Sequence, residues 1–127
     1  MIVAGIGCRL GTPAEEIERA IERALIAFGL ASAQVNLIAT AAEKAEEPGL
    51  VEAARRLAVG VVVCATGEMS AVAEHALTRS PRVAALKGVP SVAETAALAA
   101  AGRNGRLLGP RVAFEGATCA IAVGEGR

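Results

Sequence analysis

The chain opens on an apolar strand pattern, Ile2 to Ile6, passes through the glycine-rich turn Gly7-Cys8-Arg9-Leu10-Gly11, and runs directly into an amphipathic helix. A strand leading straight into a helix points to a sheet with helices packed on its faces. The helix start has three supports. Thr12 suits the N-cap, Pro13 suits the first helical position, and Glu15 completes a Thr-x-x-Glu capping box. Ile17, Ala20, Ile21, Ala24, Leu25 and Phe28 recur at helical spacing, with Glu15, Glu18, Arg19, Glu22 and Arg23 on the other side. Gly29 then ends the helix as a left-handed cap.

A second strand is predicted over Val35 to Thr40. A charged loop, Glu43-Lys44-Ala45-Glu46-Glu47-Pro48-Gly49, follows it and precedes a helix over roughly Leu50 to Leu57, with Leu50, Val51, Ala54 and Leu57 as its apolar face. Gly60 to Ala65 is almost wholly apolar and β-branched, the pattern of a central strand covered on both faces. Thr66 to Pro81 carries weak signals, with a short helix expected around Ala71 to Leu77. Ser91-x-x-Glu94 is a second capping box. The alanine-rich segment from there to Ala101 and Gly102 has almost no charge after Glu94, so it reads as a helix buried on more than one side and able to lie close to the sheet. Arg106 to Leu108, Val112 to Phe114 and Thr118 to Val123 are short strands joined by Gly109-Pro110 and Glu115-Gly116. The pattern gives one α/β domain over residues 1–127, with a mixed sheet, no internal repeat or linker, and a free tail only in the final few residues.

Composition removes several function classes. The chain is 54% hydrophobic, but alanine supplies much of that, and the apolar runs are broken well short of the ~20 residues a membrane span needs. Thirteen basic and thirteen acidic side chains cancel, so no overall field favours nucleic acid or an anionic membrane. Phe28 and Phe114 are the only aromatic residues, too few for a base-stacking platform. Cys8, Cys64 and Cys119 are an odd number without a Cys-x-x-Cys pair, which fits free thiols in a reducing compartment and offers no zinc site. With no secretory leader pattern at the start, a cytoplasmic location is expected.

The first strand-to-helix turn is the sharpest chemical feature. Its backbone N–H groups at a helix start can hold an anion, and Arg9 adds a charge-assisted carboxylate contact. The competing reading is that the glycines only permit a tight turn. Gly5-x-Gly7-x-x-x-Gly11 departs from the dinucleotide fingerprint at Leu10, and Pro13 removes a donor that a phosphate would use. Cys8, beside Arg9, is either a thiol of lowered pKa or a small packing residue. His75 reads as a surface residue, without the spaced partners of a metal site. Lys44 can meet a ligand carboxylate, with Glu47 as hydrogen-bond partner or helix-start charge, or the loop is simply solvated. Capping accounts for Ser91 and Glu94, and packing for Thr118 and Cys119.

Together these pieces resemble a known family. Gly5-Ile6-Gly7-Cys8-Arg9, Gly11-Thr12, Thr40 with Lys44-x-x-Glu47-x-x-Leu50, Val89-x-Ser91-Val92-Ala93-Glu94-x-Ala96-Ala97-Leu98 and Ala117-Thr118-Cys119-Ala120-Ile121-Ala122 are similar, in order and spacing, to the CobE family. The same domain forms the C-terminal part of CbiG, the cobalt-precorrin-5A hydrolase. The resemblance implies a three-layer α/β/α domain with a mixed sheet and a role in cobalamin (vitamin B12) biosynthesis. Members often carry a second basic residue where this chain has Leu10, and Thr66 to Ser80 matches least.

Precorrins are polycarboxylate macrocycles, so the resemblance gives the loops a common purpose. It implies a ligand site drawn from Gly7, Cys8, Arg9, Gly11, Thr12, Lys44, Glu47, Ser91, Glu94 and Thr118, with aliphatic surface against the ring, no cofactor and no metal. The expected function is binding, presenting or protecting a precorrin or corrin-type tetrapyrrole intermediate, alongside other cobalamin-pathway enzymes. One alternative is lactone opening as in CbiG, with Glu47 or Glu94 as general base on water. Because the resemblance is to the C-terminal part of CbiG alone, that reaction is not carried over with it. The other alternative is a structural partner of a pathway enzyme.

Overall fold

The computed structural model describes residues 1–81 and 88–127. Strands β1 (Ile2–Cys8), β2 (Leu37–Ala41) and β3 (Gly60–Cys64) are parallel, and they are joined by helices α1 (Ala14–Ala27) and α2 (Pro48–Leu57). Among the described residues, two further helices, α3 (Thr66–Ala71) and α4 (Val92–Ala101), precede β4 (Arg106–Leu107), β5 (Val112–Phe114) and β6 (Ala117–Val123). The strand order is β3-β2-β1-β6-β4, with β5 also on β6. Strand β6 runs antiparallel to β1 from Ile2↔Val123 to Cys8↔Ala117, which makes the sheet mixed.

Alternation along the strands sorts side chains to two faces. Ala4, Ile6, Cys119 and Ile121 pack against Ile17, Ile21 and Leu25 of α1 and Leu50 of α2. Val3, Ala39, Ala120 and Ala122 point the other way, toward Met69 of α3 and the alanines of α4. The architecture is therefore three-layer α/β/α, as expected. The small side chains of α4 let it lie unusually close to the sheet, and Gly5 answers from the strand side. A Cβ at Gly5 would stand 2.0 Å from the Ala93 carbonyl oxygen and 2.7 Å from Ala97 Cβ. Gly5 thus makes room for the helix, whereas a Cβ at Gly7 would meet the Thr118 hydroxyl of β6 at 2.8 Å.

Several local expectations need correction. Thr12 caps nothing in α1. The N-cap is Pro13, with extended backbone, and the Thr12 hydroxyl donates to the Arg9 carbonyl at 2.7 Å. Thr12 stands one residue too early for the box, so its side chain is drawn back to the loop. The other end of α1 follows expectation. Gly29 has φ +69°, its N–H donates to the Ile26 carbonyl and that of Leu30 to the Leu25 carbonyl, the paired bonds of a Schellman cap.

Among the described residues β3 is the edge of the strand order, and Val63 is 41% exposed. A wholly apolar run does not distinguish a central strand from an edge strand that is partly covered. The short helix expected around Ala71 to Leu77 lies earlier, at Thr66–Ala71, where Glu68 returns a carboxylate to the Ala65 N–H at 2.9 Å. A single 3-10 turn, Ala73–His75, follows. The last residues are tied down: the Gly126 N–H donates to the Ala101 carbonyl at 2.8 Å, and Arg127 pairs with Glu68.

Candidate functional site: a cationic cleft at the strand ends

In open α/β sheets, ligands gather at the carboxyl ends of parallel strands, where no helix covers the crevice. Here the ends of β1 and β2, the start of α4 and the β5–β6 hairpin bound a cleft of about 640 Å³. Arg9 reaches it from the β1–α1 loop, Lys44 from the 3-10 turn after β2, and Arg111 from the segment before β5. Its lining is partly apolar, with Leu10, Ala41, Val92 and Ala113, and also includes the carboxylates Glu43 and Glu115. Leu10 is 85% exposed, an aliphatic surface next to Arg9. Arg9, Lys44 and Arg111 form no ion pair with a carboxylate among the described residues.

The structure brings together Gly7, Cys8, Arg9, Lys44 and Thr118 in this one cleft. Thr118 is half-buried, and its hydroxyl donates to the Gly7 carbonyl at 3.3 Å across the β1–β6 ladder. Thr40, in the middle of the family-like motifs, is buried and donates to the Ile6 carbonyl at 3.0 Å, fixing β2 against β1. Ser91 does not line the cleft. It is fully buried, and its Oγ accepts the Glu94 N–H as the cap of α4.

Carboxylates hold the loops that frame the cleft. Glu47, the residue that begins α2, accepts the Gly11 N–H at 2.6 Å. Glu16 of α1 accepts the Gly116 N–H at 2.9 Å. Glu94 is completely buried and accepts the N–H groups of Leu77, Thr78 and Arg111 and the Thr78 hydroxyl. Three amides of the β1–α1 turn are likewise engaged within the protein. The Arg9 N–H donates to the Gly116 carbonyl, that of Gly11 to Glu47, and that of Thr12 to the Arg9 carbonyl.

Cys8 borders the cleft without the lowered pKa that its neighbours suggested. Burial pushes its thiol up from the ordinary value; Lys44 opposes this and Glu47 adds to it. A protonated thiol is a poor nucleophile. His75 is exposed, with Glu74 3.5 Å away. Arg111 was hidden in the sequence, because a lone arginine between a Gly-Pro turn and a three-residue strand has no motif. Only the antiparallel pairing of β6 with β1 carries the β5–β6 hairpin to the carboxyl end of β1.

Fold and cleft define a class: a three-layer α/β/α protein with three cations, without an ion pair among the described residues, gathered where its parallel strands end. Residues 2–122 match the family described as cobalamin synthesis G C-terminus. The chain belongs to this family and is a cobalamin biosynthesis protein of the CobE and CbiG C-terminal type. It is 37% identical over 121 residues to Protein CobE of Sinorhizobium sp, covering 95% of this chain and 79% of that one. The crystal structure of a CobE, a protein from the cobalamin biosynthetic pathway, superposes with a TM-score of 0.92 at 33% identity, covering 100% of this chain and 92% of that chain. The cobalamin biosynthesis protein chiG from Agrobacterium tumefaciens str. C58 gives a TM-score of 0.77 at 42% identity, covering 98% and 99%. No helix among the described residues is long and apolar enough to cross a membrane.

Proposed function

We propose that the chain binds a precorrin or corrin-type intermediate of cobalamin biosynthesis in the cleft and presents it to other enzymes of the pathway. The observation that carries this reading is the convergence of Arg9, Lys44 and Arg111, from three separate loops, on one cleft with aliphatic walls. An acid-decorated macrocycle offers the complement, with peripheral carboxylates for the cations and a flat apolar body for Leu10, Val92 and Ala113. The chain has no net charge, so attraction for such a ligand comes from this local cluster.

Support for binding over hydrolysis comes from the two carboxylates that a hydrolytic reading needs. Glu47 and Glu94 are both buried, and both already accept backbone N–H groups. Neither borders the cleft.

Absorbance titration with hydrogenobyrinic acid tests the proposal. A charge-assisted hydrogen bond is worth about 1.5–3 kcal/mol, so Arg9→Ala and Lys44→Ala should each weaken binding by about tenfold or more. Parent-like affinity in both variants would remove the cleft from consideration. Acetaldehyde release from a cobalt-precorrin lactone by the purified protein would replace the binding role with hydrolysis.

A further inference from the structure

Glu94 and Arg111 lie seventeen positions apart in sequence, and one hydrogen bond joins them: the Arg111 N–H donates to Glu94 Oε2 at 2.9 Å. Glu94 sits in the first turn of α4 with no exposed surface. Its Oε1 accepts the Leu77 and Thr78 N–H groups, each at 2.8 Å, and its Oε2 also accepts the Thr78 hydroxyl at 2.7 Å. A carboxylate has about four lone-pair sites, and four donors fill them. This side chain has no acceptor capacity left for a ligand. Of the residues it holds, Arg111 is the one that lines the cleft.

We propose that Arg111 is a ligand-carboxylate contact in the cleft and that Glu94 is its positioning residue, locking the backbone before β5 to the start of α4. This rests on the tetrapyrrole-binding reading above, which already counts Arg111 among the converging cations, and adds to it the group that aims Arg111. Arg111 is half-buried, and its planar fork matches a carboxylate in two parallel bonds, so its orientation matters more than a lysine's would. Glu94→Gln keeps the shape but replaces one acceptor oxygen with an NH2 group that faces donors. The contact to Arg111 or the pair to Leu77 and Thr78 is then lost.

The test is a double-mutant cycle read by hydrogenobyrinic acid titration. Arg111→Ala is expected to weaken binding about tenfold and to reduce its salt dependence, with Arg111→Lys recovering only part. Glu94→Gln should weaken binding several-fold in the parent and have no further effect in the Arg111→Ala background. Glu94→Asp, which keeps the charge but withdraws it by one methylene, serves as the second positioning variant, and circular dichroism confirms that each protein is folded. Equal losses from the Glu94 substitution in both backgrounds would mean that it acts independently of Arg111, which overturns the positioning role. If Arg9→Ala weakens binding and Arg111→Ala does not, this inference falls while the functional reading stands. No binding by the parent removes both.

Discussion

At Gly5 the structure leaves no volume for a side chain. The nearest obstacle to a Cβ is the Ala93 carbonyl oxygen in α4, which a rotamer change cannot move. Gly5→Ala should therefore cost about 3 kcal/mol, read as a lowered urea midpoint, because overpacking against backbone displaces a whole helix. The three thiols respond to pH in a predictable direction. Burial raises the pKa of Cys119, and burial also leads the upward shifts of Cys8 and Cys64. The unfolded chain then releases these protons at lower pH than the folded one. Stability is intact below the ordinary thiol pKa of about 8.5 and falls as pH rises beyond it. Urea midpoints measured from about pH 8 to about pH 10 should decline, and less steeply in Cys119→Ala. Arg9 and Lys44, which line the candidate cleft, were legible because each stands beside a turn signal after a strand. Arg111 was not, since its place in the cleft depends on a pairing partner far away in sequence.

Helices α1, α2 and α4 are legible in the sequence, because periodicity and end signals act locally. Even so, their caps are settled by neighbours. Thr12 faces loop carbonyls instead of α1, and the Ser91 cap forms as expected while Glu94 turns to other loops. Helix α2 ends without a glycine: Ala58 takes φ 57° and ψ 42°, the left-handed conformation that disfavours a Cβ. Ala58 is exposed, so Ala58→Gly relieves that strain without opening a cavity and should stabilise the protein by about 1 kcal/mol in thermal unfolding. Strand β3 shows the limit of local reading. Its valines announce a strand, but its rank in the sheet is fixed by β2 alone among the described strands. The weak signals after Thr66 misplace α3 by about one turn because its start depends on Glu68 reaching back to Ala65.

Across the whole molecule, layer order and sheet class follow from the βα pattern at the start and the adjacent strands at the end. The cleft follows from a long-range event, the docking of β6 beside β1. Gly7 and Thr118, paired in that ladder, are 111 positions apart. Strand β6 supplies Cys119 and Ile121 to one core and Ala120 and Ala122 to the other. A chain ended at Gly116 should accordingly show no cooperative urea transition, since both layers lose their shared wall. During synthesis, β1 emerges long before β6, and its hydrogen-bonding edge stays bare while a hundred more residues are added. The nascent chain thus passes through a stage with a raw sheet margin, open to pairing with another copy, which makes crowded ribosomes and slow translation a particular hazard for this fold.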